Sequence, residues 1–190
     1  MKKILFLMMI CGSAGSHAQT VPPFAASSRT WVIEGSGIAQ TWSDHINAPA
    51  CNKADFDGGS ADEPKADCRN NPGYYYLYSW RYVHENAAAL CPSPWRVPSR
   101  DDFEKLGTAL GKDNAWREDG TRNLKYAGIW GGVYGGIAFD TFVRHSGSLA
   151  CYWSSSLFDT AAHYLSFHSE RIYPPYHFHR HFGFQVRCVL

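Results

Sequence analysis

The chain has 190 residues, with 18 lysines and arginines against 17 aspartates and glutamates, for a formal charge of +1 at pH 7. So even a balance, without a basic stripe, lacks the electrostatic footprint of phosphate binding and excludes nucleic acid as the expected partner. The length suits one domain with a real core, and the 15% aromatic content suits a loop-rich module pinned by large side chains.

Lys2 and Lys3 precede the apolar run from Ile4 to Ile10, which gives way to small residues ending Ser16-His17-Ala18. That order predicts a secretory signal over 1–18, with an apolar stretch too short to span a bilayer. Cys11 offers a rival reading as a lipid-attachment site, but Met8-Met9-Ile10 lacks the small residues such a site carries. Loss of the signal removes two lysines and no acid, leaving a charge near about −1. A flexible leader is expected over 19–28 and a single domain over 29–190. No second run reaches membrane-spanning length. The protein is therefore expected to be exported, to the periplasm, the outer surface or the medium.

Beyond the signal lie Cys51, Cys68, Cys91, Cys151 and Cys188. In an exported protein these should form disulfides. Spacing suggests Cys51 with Cys68 and Cys91 with Cys188, contributing about 3 and about 4.7 kcal/mol through loop entropy. Cys151 is left over, as a small buried hydrophobe. Zinc is the alternative, but no Cys-x-x-Cys spacing supports it.

A first strand is expected over 29–33, turned by Gly35-Ser36-Gly37 into a second over 38–42. Residues 48–73 are polar and without apolar periodicity, which predicts a disulfide-closed surface loop. An aromatic strand over 74–80 leads into a helix over 81–90, whose Val83, Ala87 and Leu90 share a face and which ends before Pro92. Ser99 and Asp102 form a capping box for a second helix with Phe103, Leu106 and Leu110 as its buried stripe, ended by Gly107 or Gly111. Residues 128–136 read as glycine- and aromatic-rich loop, and 149–155, 162–168 and 177–189 as strands. In the last of these, Phe182, Phe184, Val186 and Cys188 share one face and His177, His179, His181, Gln185 and Arg187 the other. Only the first face is expected to be buried. Helices early and strands late predict an α+β fold, the helices packed on an antiparallel sheet.

Five motifs then align. Tyr78-Ser79-Trp80, the run from Leu90 to Ser99 (Leu-Cys-Pro-Ser-Pro-Trp-Arg-Val-Pro-Ser), Asn123-Leu124-Lys125, the run from Tyr152 to Ser156 (Tyr-Trp-Ser-Ser-Ser) and the run from Gly183 to Val189 (Gly-Phe-Gln-Val-Arg-Cys-Val) stand in the order and near the spacing of one family. Over residues 31–190 the chain resembles the Fibrobacter succinogenes major paralogous domain. That resemblance implies a C-type-lectin-like fold, distantly similar to the formylglycine-generating enzymes, with two short helices, long loops and a Cys91–Cys188 bridge tying the first helix to the last strand. It also implies an exported protein of a Bacteroidetes-like bacterium, in a family whose members mostly have no assigned activity. Pro94 departs from the family's usual glycine. Neither the Glu-Pro-Asn nor the Trp-Asn-Asp triplet of calcium-dependent lectins is present, so a calcium-bridged sugar site is not expected.

Several clusters carry candidate chemistry. His177, His179 and His181 alternate along one expected strand, the residue type for a transition metal, but strand neighbours on one face stand about 7 Å apart. Asp55, Asp57, Asp62, Glu63 and Asp67 suggest calcium without the regular loop spacing. No carboxylate pair for glycoside hydrolysis stands out. No serine sits on a Gly-x-Ser-x-Gly elbow, and Cys151 is expected to pack rather than react. Catalytic residues are therefore not assigned, and no cofactor is required, with zinc or calcium as the alternatives.

Trp130, Tyr134, Tyr173, Tyr176 and Phe178 fall near glycines and prolines, where aromatic side chains can offer stacking platforms. They point to a non-catalytic binding or surface-assembly module for a glycan or a surface protein. The alternatives are a formylglycine-generating-type oxidase relative, or other enzyme, and histidine-based metal capture.

Overall fold

The computed structural model describes residues 29–33, 38–43, 56–71, 76–109, 137–139, 142–168 and 171–190. In chain order these form β1 (Arg29–Ile33), β2 (Ile38–Trp42), β3 (Cys68–Asn70), β4 (Tyr76–Ser79), α1 (Trp80–Glu85), α2 (Ala87–Leu90), α3 (Arg100–Ala109), β5 (Ile137–Phe139), β6 (Phe142–Arg144), β7 (Leu149–Phe158), β8 (Ala161–His168), β9 (Arg171–His179) and β10 (Gly183–Phe184). The fold is α+β. The expected signal and leader over 1–28, together with Cys51, Asn123-Leu124-Lys125, Trp130 and Tyr134, lie outside the described residues.

The strands form three antiparallel groups: the hairpin β1-β2, a five-stranded sheet ordered β3-β4-β10-β5-β6, and the meander β7-β8-β9. Arg29 stands opposite Trp42 and Ile33 opposite Ile38, the hairpin the sequence suggests. Between β4 and β7 sits the main core, where Tyr78, Trp80, Val83, Leu90, Trp95, Val97, Trp153 and Phe184 pack together. Among the described residues no helix is long and apolar enough to cross a membrane.

Local chemistry explains the helix ends. The Ser79 hydroxyl accepts the Tyr82 N–H and starts α1 one residue earlier than the periodicity suggests. The single helix expected over 81–90 is two. Asn86 donates both its backbone N–H and its side-chain amide to the Tyr82 carbonyl, ending α1 before α2 begins. At α3 the capping box forms: the Asp102 N–H reaches the Ser99 hydroxyl, and the Asp102 carboxylate accepts the Ser99 N–H at 2.7 Å. Gly107 lies inside that helix and does not end it.

Residues 56–71 are not the surface loop that their polarity suggests. Phe56 is wholly buried against Leu77 and Ala138, and β3 pairs with β4, Cys68 opposite Tyr78. Asp67 accepts the Asp57 N–H and donates its own N–H to Ser79, so an acid rather than an apolar stripe secures the segment. Gly58 runs so close to the chain at His181 that a Cβ there would lie 1.7 Å from the His181 carbonyl oxygen.

The expected long last strand is also corrected. β9 ends at His179, a turn follows over 180–182, and β10 is a separate short strand between β4 and β5. Burial then covers both sides of the run from Gly183 to Val189. Gln185, placed on the solvent side by alternation, exchanges backbone bonds with Cys151 and Trp153 of β7. Arg187 is 0% exposed, its guanidinium donating to the Ser43 carbonyl and lying over the Tyr152 ring. Val189 bridges Trp42 and Arg96, and Cys188 is bonded to Cys91. One short run therefore touches the five-stranded sheet, the meander, the turn before α3 and the hairpin. It is buried on both faces because it lies between layers.

Candidate functional site

The site begins with a change of register in the β8-β9 pair. Tyr164 stands opposite Tyr176, and Ser166 opposite Tyr173. One residue separates the β8 pair and two the β9 pair, so Pro174 and Pro175 together oppose Leu165, as in a β-bulge. Proline has no N–H for a ladder, and bulges on edge strands are where a sheet tolerates it. β9 is such an edge. In a regular strand Tyr173 and Tyr176 would point to opposite faces; the inserted residue brings them to the same one.

That face opens as a cleft of about 460 Å³ lined by Leu149, Tyr164, Ser166, Tyr173, Pro175 and Tyr176. The Tyr164 ring reaches into the core, against Trp153 at 6.3 Å and Phe184 at 5.0 Å between centroids. Burial raises the pKa of its hydroxyl, the neighbouring Cys151 adds to this, and a hydrogen bond with Ser166 opposes it, so the group stays protonated at neutral pH. Tyr176 is 62% exposed and Tyr173 38%. The Tyr176 ring is nevertheless held, stacked on His177 at 4.3 Å, and His177 is in turn stacked on Phe158 at 4.1 Å.

Of the aromatic residues singled out from the sequence, Tyr173 and Tyr176 thus line one cleft. Phe178 shares their side of β9 but packs inward on Tyr164, Phe182 and Phe184. Leu149, Tyr164, Ser166 and Pro175 were not anticipated. Their signal was the pair Pro174-Pro175 inside an otherwise strand-like run, which marks an edge bulge.

His177 and His179 share β9, but His181 lies in the turn that follows. His177 pairs across to His163, with ring centroids 6.2 Å apart, while His179 stacks on His181. Burial lowers the pKa of His163, Arg100 lowers it further, and a bond to the Tyr176 backbone opposes the shift. Among the described residues no group of three or more His, Cys, Asp or Glu side chains is placed to hold a metal ion. The acids of the 56–71 segment are dispersed: Asp57 pairs with Lys65, Asp67 is buried in backbone bonds, and Asp62 and Glu63 face solvent. Cys151 is a free thiol, 0% exposed, and burial pushes its pKa far up, away from the reactive thiolate. Cys68 is disulfide-bonded.

A family model described as the Fibrobacter succinogenes major domain matches residues 33–190. The chain belongs to the Fibrobacter succinogenes major domain family. No curated protein and no solved structure matches it significantly.

In this member of the Fibrobacter succinogenes major domain family the described motif residues form clasps. The Trp80 indole donates to the Ser154 carbonyl and the Trp153 indole to the Tyr78 carbonyl, both at 2.8 Å, so the start of α1 is tied to β7 and β7 to β4. Ser155 donates its N–H to the Pro98 carbonyl, and the Ser156 hydroxyl accepts the Arg100 N–H, which ties β7 to the start of α3. Arg96 and Val189 exchange backbone bonds, and the Arg96 side chain forks onto Asp102. The cleft lies beside these clasps and, apart from Tyr164 touching Trp153, uses none of their side chains.

Proposed function

We propose that this protein is an exported, non-catalytic binding or surface-assembly module of C-type-lectin-like architecture, whose ligand, a glycan or a surface protein, seats in the cleft between Tyr164, Tyr173 and Tyr176. The observation that carries this reading is the bulge at Pro174-Pro175, which brings two exposed tyrosines onto one wall of a concave, mostly apolar cleft with a few polar groups, the usual form of a ligand site. The lectin-like architecture is supported by helices placed between strands and by the bond from the end of α2 to the terminal run. Export is supported by that disulfide, since such bonds persist in oxidising compartments.

The candidate nucleophiles considered among the described residues are occupied or buried. Ser154, Ser155 and Ser156 hold backbone groups of His163, Pro98 and Arg100, and the Cys151 thiol is buried without access. The deciding experiment applies the mature protein to a glycan array and to a pull-down, beside a Tyr173→Ala/Tyr176→Ala variant. Capture by the parent and loss of it in the variant is the expected result; capture indifferent to both substitutions sinks the reading. A thiol titration tests the oxidase alternative, which requires a reactive cysteine pair in the native state.

A further inference from the structure

We infer that the cleft takes an uncharged carbohydrate, one or two pyranose rings, with the apolar face of a ring laid on Tyr176 and its hydroxyls against Tyr164 and Ser166. This rests on the proposal that the cleft is the binding site, and it specifies the ligand's chemistry.

The lining decides the charge. Among the described lining residues every polar side-chain group is a hydroxyl, from Tyr164, Ser166, Tyr173 and Tyr176, and the rest is Leu149 and Pro175. Against these residues an ionised ligand group would lose hydration and meet no countercharge, a cost that a neutral ligand escapes. Hydroxyls donate and accept at once, so they match neighbouring sugar hydroxyls, which do the same. Tyr164 and Ser166 stand two apart on β8 and face the same side, so their hydroxyls form one polar edge of the cleft.

The aromatic arrangement decides how such a ring would sit. Tyr176 is the most exposed of the cleft's described rings, yet it is stacked on His177, which is itself stacked on Phe158, so the ring is held from behind. A platform held before binding loses little conformational freedom when a flat apolar surface is laid on it. The C–H face of a pyranose is such a surface, and its rim carries the hydroxyls that the Tyr164–Ser166 edge can meet.

The strand beside the cleft argues against an extended peptide. A peptide adding to the β9 edge needs N–H donors from that edge, and at Pro174 and Pro175 there are none. The bulge also breaks the even spacing such pairing uses. A volume of about 460 Å³ suits a compact ligand rather than a long segment.

The test is isothermal titration of the mature protein with maltotriose, cellotriose, xylotriose and mannotriose, with trigalacturonic acid as the charged probe and a proline-rich decapeptide as the peptide probe. Tyr176→Ala, Tyr176→Phe and Tyr164→Phe are measured in parallel; Tyr176 is exposed, so its substitution leaves the fold intact. At least one neutral trisaccharide is expected to bind, weakened about tenfold or more by Tyr176→Ala, nearly unchanged by Tyr176→Phe and reduced several-fold by Tyr164→Phe. If no neutral trisaccharide binds, or binding ignores Tyr176→Ala, the inference is overturned. A Tyr176-dependent response to the peptide or the acidic trimer alone overturns the neutral-sugar assignment and leaves the cleft as the site. If every probe is indifferent to Tyr176→Ala, the inference and the cleft reading fall together.

Discussion

Tyr173 and Tyr176, three residues apart, pair across the sheet with Ser166 and Tyr164, which are two apart. That mismatch of one residue determines which way the aromatic side chains of β9 face. It makes the bulge, rather than either tyrosine, the feature on which the cleft depends.

Deleting Pro175 leaves Tyr173 and Tyr176 two residues apart, opposite Ser166 and Tyr164 without a bulge. Both tyrosines are then expected to stay on one face, because regular alternation now puts them there. Cross-strand contacts of Tyr173 with Ser166 and of Tyr176 with Tyr164 in nuclear Overhauser spectra should both persist. Loss of the Tyr173–Ser166 contacts would show that the residue count between the tyrosines does not set their facing.

Replacing Cys91 and Cys188 by serine opens a bond between residues 97 apart in sequence. The expected loss is about 2–5 kcal/mol by chemical denaturation, because the bond joins the end of α2 to the run that touches all three strand groups. A loss below about 1 kcal/mol would mean that the hydrogen bonds of that run suffice by themselves.

Asp102→Asn tests the charge behind the α3 cap. Burial pushes the Asp102 carboxyl up, but the Arg96 guanidinium and the N–H and hydroxyl of Ser99 outweigh it and hold the group below the ordinary carboxylate range. Its folded pKa being depressed, its stabilisation is complete above the unfolded value of 3.8 and is lost as pH falls through the lower folded value. The variant should be less stable by about 2–3 kcal/mol at pH 7, with Arg96 left unpaired, and its stability should fall less than the parent's as pH drops below 4. Equal slopes in the two proteins would remove Asp102 from the account of acid sensitivity.

His163 has the same sign for a different reason. Burial, with Arg100 beside it, keeps the folded imidazole neutral below the unfolded value of 6.5, so the unfolded chain takes up the proton first. Its contribution is complete above pH 6.5 and is lost as pH falls toward the depressed folded value. Urea midpoints measured at pH 7.5 and pH 5 should move apart in the parent and lie closer together in His163→Gln. Unaltered separation in the variant would assign that sensitivity to other groups.

What was legible in the sequence was what short-range chemistry decides. The Ser99–Asp102 capping box and the pairing of β1 with β2 depend on neighbours in sequence or on simple alternation. Five motifs in order sufficed for the family. Phe56 was hidden because a single apolar anchor has no period, and its partners Leu77 and Ala138 come from distant strands. The break at Asn86 was hidden because a local amide bond outcompeted a good apolar stripe.

The sequence by itself determined the residue types, the cap, the cysteines available for a bridge and the prolines that no regular ladder accepts. Only the tertiary structure decided which side of a strand meets water. Gln185 and Arg187 alternate like surface residues yet are buried, because sheet, meander and hairpin enclose the terminal run from both sides. Tyr173 and Tyr176 alternate like residues of opposite faces yet share one cleft, because two prolines occupy the place of one residue at a sheet edge. Alternation predicts facing when the register is regular and one layer covers the strand, and neither condition holds at these two places.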